Sequence, residues 1–198
     1  VPPTVEVGAA ACAADVRSAA EAAVGELRRL RAEVYGGRPL PAETYRGVAK
    51  LGFSWQGEGV LPFVGVTGLL KALTRLLGNA QPEATCLVQE RVEDVRCELR
   101  VVCCRDYAQG PDAVATELVR MHMHAPRHLE QDETFRLTSS LTMTAAEAVE
   151  QAFGGSAAAL EAAEMQAKQL TERWLRWLNV SGPGLPHVCR LDFLATMR

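Results

Sequence analysis

At Ala84 the apolar residues of this chain change their spacing, and that change limits the possible folds more than any other feature. Upstream, Val16, Ala20, Ala23, Leu27, Leu30 and Val34 recur every three or four residues, the spacing of one helix face. Downstream, Cys86, Val88 and Val92 alternate with Leu87, Gln89 and Arg91. Cys97, Leu99, Val101 and Cys103 then alternate with Glu98, Arg100 and Val102, the period of a strand. The helical period returns at Leu160, Ala163, Ala167, Leu170, Trp174 and Trp177. Helices, then strands, then a helix is the order of an α+β fold: N-terminal helices, an antiparallel sheet of three to five strands, and a long C-terminal helix packed on the sheet.

Punctuation residues divide this frame. The first helix covers 10–35 and stops at Gly36-Gly37 and Pro39; its Ala-rich stripe permits a close partner helix. A shorter helix is expected from Pro41 to Leu51, with Pro at its first position. The stretch Gly52–Val66 mixes glycines with Phe53, Trp55, Leu61 and Phe63, and large apolar groups on an irregular backbone need a cover. Thr67 or Gly68 opens the next helix, which Gly78-Asn79 closes. The two strands after Ala84, joined at Glu93-Asp94, predict a hairpin in which Val88 faces Leu99 and Cys86 faces Val101.

Further on, Val114–His124 reads as a strand rather than a helix, and Thr134–Met143 as a half-exposed antiparallel strand. Thr144-Ala-Ala-Glu147 is a capping box, and Gly154-Gly155 interrupts the long helix that it opens. A last strand or tail follows Gly182-Pro-Gly-Leu-Pro186. One domain over 1–198 accounts for the pattern: a helical portion at 10–78, the sheet at 84–143, the long helix at 145–178 and the C-terminal strand or tail at 185–198.

Composition excludes several function classes. With 198 residues, 48% hydrophobic and 23% charged, the chain can bury a full core. Pro62, Gly65, Gly68, Lys71 and Arg75 break its most apolar stretch, so no membrane span is expected. The net charge of −3, with acids and bases interspersed, leaves no footprint for nucleic acid. Six cysteines without C-x-x-C spacing suit an intracellular, reducing compartment, the cytoplasm first. The N-terminal Val-Pro-Pro-Thr shows neither a basic nor an apolar leader region, which leaves organellar targeting open.

Chemical signals are sparse. His122 and His124 share a face of an extended strand and could both reach one metal; the plainer reading is an amphipathic strand with exposed imidazoles whose Met121 and Met123 fill the core. Cys103-Cys104 point to opposite strand faces and cannot chelate together. The glycines at 57–59 and 65–68 match neither phosphate-binding fingerprint, and no spacing sets a nucleophile beside a base. No cofactor is expected. Enzymatic activity is left open, since sites assemble in space, but the motifs lean against it.

Trp174 and Trp177, with Arg173 beside them, are the residue types of protein-binding hot spots, but the heptad-like phase favours rings that lock the helix onto the sheet. Trp55 and Phe63 pose the same choice. The expectation is therefore a non-enzymatic interaction module, a subunit or adaptor that binds another protein or itself. The alternative is a carrier that holds a hydrophobic small molecule between sheet and C-terminal helix, lined by Phe53, Trp55, Phe63, Phe135 and Leu141.

Overall fold

Strand Thr4–Gly8 (β1) opens the chain and leads directly into helix Ala9–Tyr35 (α1) in the computed structural model, which describes residues 2–36, 40–52, 59–93, 95–110, 113–122, 142–181 and 184–196. After a single 3-10 turn, Ala42–Thr44, come strands Arg46–Leu51 (β2) and Val60–Val64 (β3), helix Gly65–Leu77 (α2) and strand Thr85–Glu90 (β4). A second group follows: strands Val95–Arg105 (β5), Val114–His122 (β6) and Thr142–Met143 (β7), helices Ala145–Ala152 (α3) and Ala157–Ser181 (α4), and strand Val188–Thr196 (β8). The chain is α+β with two antiparallel four-stranded sheets, ordered β1-β4-β2-β3 and β7-β6-β5-β8. They belong to two compact units, which divide the described residues between Val92 and Glu93.

In the first unit both helices cover one face of the sheet. Ala20, Ala23, Val24 and Leu27 of α1 and Leu69, Leu73 and Leu77 of α2 are buried with Val7, Ala49, Leu61, Phe63, Cys86 and Val88. The alanines let α1 come close to α2, as the narrow stripe requires. Inside α1, Asp15 leaves helical geometry and its carboxylate accepts from the N–H groups of Arg17 and Ser18 at 3.0 and 3.1 Å, so it caps the main body of the helix. Tyr45, with no exposed surface, reaches Glu90 at 3.4 Å, and Glu90 also pairs with Arg31. Desolvation in this core pushes the Tyr45 hydroxyl up to about 12.

Two expectations are corrected here. The helix placed from Pro41 to Leu51 is a single 3-10 turn followed by β2. Tyr45, Gly47 and Ala49 are buried alternately with exposed or half-buried neighbours, and that period-two burial outweighs the start signal at Pro41. The hairpin joining 86–92 to 97–103 does not form: Val88 pairs with Val5 and Ala49, whereas Leu99 pairs with Arg120 and Phe193. Both strands bury the faces read from sequence, but each finds partners far away in the chain.

In the second unit α3 and α4 pack on the sheet face that carries Cys97 and Leu99, with Ala148, Ala152, Phe153, Leu160 and Ala167 buried beneath them. The capping box is present: Thr144 Oγ1 accepts from Glu147 N–H at 3.2 Å and Glu147 accepts from Thr144 N–H at 2.8 Å. These bonds to its charged form hold the Glu147 carboxyl below its ordinary range. Positive φ at Gly154 and Gly155 turns α3 into α4, and Ser156 Oγ caps the restart at Ala159 N–H. Arg120 of β6 fixes α4 through Glu164 at 2.5 Å. No described helix is long and apolar enough to cross a membrane.

Candidate polar faces of the two sheets

Alternation along each strand gives each sheet a second face that its own helices do not cover. In the first unit the core series Gly47, Ala49 and Leu51 alternates with Val48 and Lys50, and the series Cys86 and Val88 with Leu87 and Gln89. Lys50 Nζ donates to Gln89 Oε1 at 2.9 Å, and Gln89 Nε2 donates to Thr4 Oγ1 at 2.8 Å. This short chain of bonds holds the ammonium of β2 against β4 and β1. Lys50 is half-buried, and loss of solvent pushes its ammonium below the ordinary lysine range.

The corresponding face of the second unit carries a denser cluster. Glu98 and Arg100 on β5 lie on this face, and Arg100 stands opposite Asp192 on β8. Arg100 bridges two carboxylates: Nη2 to Glu98 at 2.7 Å and Nε to Asp192 at 2.9 Å. Arg190 reaches the other oxygen of Asp192 at 3.1 Å. Glu98 is only 8% exposed. Its burial drives the carboxyl above the ordinary range, Asp192 adds to that push, and Arg100 opposes it. Two carboxylates and two guanidinium groups thus share one sheet face, neutral in sum and partly withdrawn from water.

The residues singled out from sequence fall elsewhere. Trp55 and His124 lie outside the described residues, as do Phe53, Phe135 and Leu141. His122 is on β6 opposite Cys97. Among the described residues no group of three or more His, Cys, Asp or Glu could hold a metal ion. Phe63 is in the first unit's core, its ring over Gly47. Trp174 and Trp177 are 42% and 50% exposed, so they do not lock α4 to the sheet; their rings meet edge-on at 5.4 Å, with Arg173 exposed beside them. Leu160, Ala167 and Thr171 do the locking instead.

Lys50, Glu98, Arg100 and Asp192 were missed as site residues. Lys50 had been placed on a helix, and Glu98 and Arg100 were read only as the outward residues of a strand. The available signals were a lysine followed at once by a glycine-rich run, and an acid and a base sharing one strand face.

No family model matches the sequence, and no curated protein does. Among solved structures the chain is similar to D-alanyl-alanine synthetase A from Vibrio cholerae O1 biovar eltor, with a TM-score of 0.53 and 11% sequence identity. The likeness covers 98% of this chain and 46% of that one, so the chain spans about half the length of its neighbour. At that identity the likeness establishes a shared fold.

Proposed function

We propose that the chain is part of a ligase that joins a carboxylic acid to an amine at the expense of a nucleoside triphosphate. The observation that carries this reading is the cluster Glu98, Arg100, Arg190 and Asp192 on the helix-free face of the second sheet. Magnesium is ordinarily held by one or two carboxylates together with substrate phosphates and water, so a pair of acids without a third protein ligand suits it. Guanidinium groups alongside are suited to phosphate oxygens. The fold likeness points to the reaction class: that protein is named for making D-alanyl-alanine, whose halves are joined by an amide.

The chemistry asks for such groups. A carboxylate oxygen attacks the terminal phosphorus, the bond to the nucleoside diphosphate breaks, and an acyl phosphate forms. The amine then attacks the acyl carbon, expels phosphate and loses a proton. Charge builds on the transferred phosphoryl oxygens, and fixed cations stabilise it. Arg100 and Arg190 supply fixed cations, and Asp192 with Glu98 would hold the metal. Titration calorimetry of the full chain with ATP tests the reading. Binding is expected only with Mg2+ present and weakened about tenfold, about 1.4 kcal/mol, by Asp192→Asn or Arg100→Met. Binding that ignores Mg2+, or is unchanged in both variants, overturns it.

A second reading, an interaction surface for another protein or a second copy, is favoured by the exposed edge-on pair Trp174 and Trp177 at the end of α4. Native mass spectrometry should then show a complex that Trp174→Ala removes. Nothing among the described residues favours the hydrophobic carrier: the groove of about 460 Å³ in the second unit is open, and Arg120, Glu150, Glu161 and Glu164 help to line it. An intracellular, reducing compartment belongs to the same proposal, on the strength of six free cysteines.

A further inference from the structure

Cys103 of β5 and Cys189 of β8 stand directly opposite one another in the ladder. Both thiols are free, and Cys189 is near enough to help push the Cys103 thiol up. Cys103 is buried on the helix-covered face, whereas Cys189 is half-buried on the edge strand. Further along the same ladder, Arg105 N–H donates to His187 C=O at 2.9 Å, which marks Arg105 and His187 as a hydrogen-bonded pair. Antiparallel pairs alternate between hydrogen-bonded and non-hydrogen-bonded sites, so the cysteine pair is again of the hydrogen-bonded kind. Opposed Cα atoms at such a site lie about 5.5 Å apart, within the roughly 4.4–6.8 Å that a disulfide spans. Cys104 is exposed on the opposite face, across from Val188, and does not compete for Cys189.

We propose that Cys103 and Cys189 are a redox modification site, a thiol pair that closes reversibly into a disulfide and fastens the edge strand β8 to β5. The oxidant is a low-molecular-weight disulfide such as oxidised glutathione. The Cys189 thiolate attacks one sulfur of it, breaks its S–S bond and releases one glutathione thiolate. Cys103 loses its proton, attacks the Cys189 sulfur of the mixed disulfide and expels the second. Two protein thiols are oxidised to one disulfide, the oxidant is reduced to two thiols, and the two protons pass to the released thiolates. Burial, with Cys189 next to it, holds Cys103 up at about 11, which makes the second attack slow and keeps the pair reduced until the oxidant persists. Arg190 and Asp192 lie on the strand that the bond would fix, on its opposite face. The inference stands on strand register alone and does not depend on the ligase reading.

The test is a peptide map. The full chain is incubated with oxidised glutathione, alkylated and digested, and the disulfides are read by mass spectrometry. The expected product has lost two hydrogens, contains a peptide linked through Cys103 and Cys189, shows slowed hydrogen exchange at β8 amides and reverts with dithiothreitol. Cys189→Ser, at a half-buried edge position that spares the core, should abolish the link, and Cys104→Ser should keep it. Glutathione retained on Cys189 or Cys104 without a cross-link, or a link between other cysteines, overturns the proposal; the wild-type map decides this without any variant.

Discussion

Two glycines at the start of α2 should respond to the same substitution with opposite signs. Gly65 has φ +64, which turns the chain from β3 into the helix, and a Cβ there would sit 2.6 Å from the carbonyl oxygen of Glu43. Its N–H is also held by Tyr45 C=O at 2.8 Å, so the backbone has little freedom to relax. The left-handed conformation costs an L-residue about 1–2 kcal/mol, and the backbone clash adds to it. Gly65→Ala should therefore destabilise the chain by about 2 kcal/mol or more. Gly68, one turn on, has helical geometry, and its Cβ would meet Phe63 at 3.5 Å, an ordinary contact. Gly68→Ala should stabilise by about 0.5–1 kcal/mol, because alanine loses less backbone entropy on folding. At about 2–4 °C per kcal/mol, the two variants should melt on either side of the parent, readable by thermal denaturation and confirmed in urea. Shifts of the same sign refute the geometry assigned to this turn.

Glu98 makes stability depend on pH with a defined sign. Its carboxyl is raised in the folded chain by burial first and Asp192 second, so the folded state keeps the proton to higher pH than the unfolded state. The associated stability is complete below the ordinary carboxylate value, about 4.3, and is lost as pH rises through the raised folded value. Glu98→Gln cannot lose that proton, so urea denaturation should show the variant gaining on the parent as pH rises through that window; a variant that loses ground there contradicts the assignment. Leu160→Ala, at a buried position, should cost about 2–5 kcal/mol, whereas Trp177→Ala, at a half-exposed one, should cost under about 1 kcal/mol. Equal losses in thermal denaturation would mean that Trp177 is buried in solution.

What was legible in the sequence was local. Alternation named the buried series Cys86 and Val88, and Cys97, Leu99, Val101 and Cys103, because a strand with one covered face must alternate. The capping box at Thr144 and the break at Gly154-Gly155 were readable for the same reason: each is satisfied by its own neighbours. Partner choice was not legible. The Glu93-Asp94 turn suggested a hairpin, but Val88 pairs with Val5 and Ala49, and that preference is decided by burial over a long span of chain. Similarly, Pro41 read as a helix start, and β1 was too short to stand out beside the long α1. The cluster on the second sheet depends on such pairing, since Arg100 and Asp192 are 92 residues apart in sequence and become neighbours only when β8 lies beside β5. The pair Trp174 and Trp177 was visible by residue type, but its exposure follows from the phase in which Leu160, Ala167 and Thr171 seat the helix.

The most direct test of the central claim is hydrogen exchange of the full chain with and without ATP and Mg2+. The proposed ligase predicts slowed exchange in β5 and β8 around Glu98 and Asp192, and only when nucleotide and metal are both present. Exchange that is unchanged throughout, or slowed only at the Trp174 and Trp177 end of α4, contradicts it.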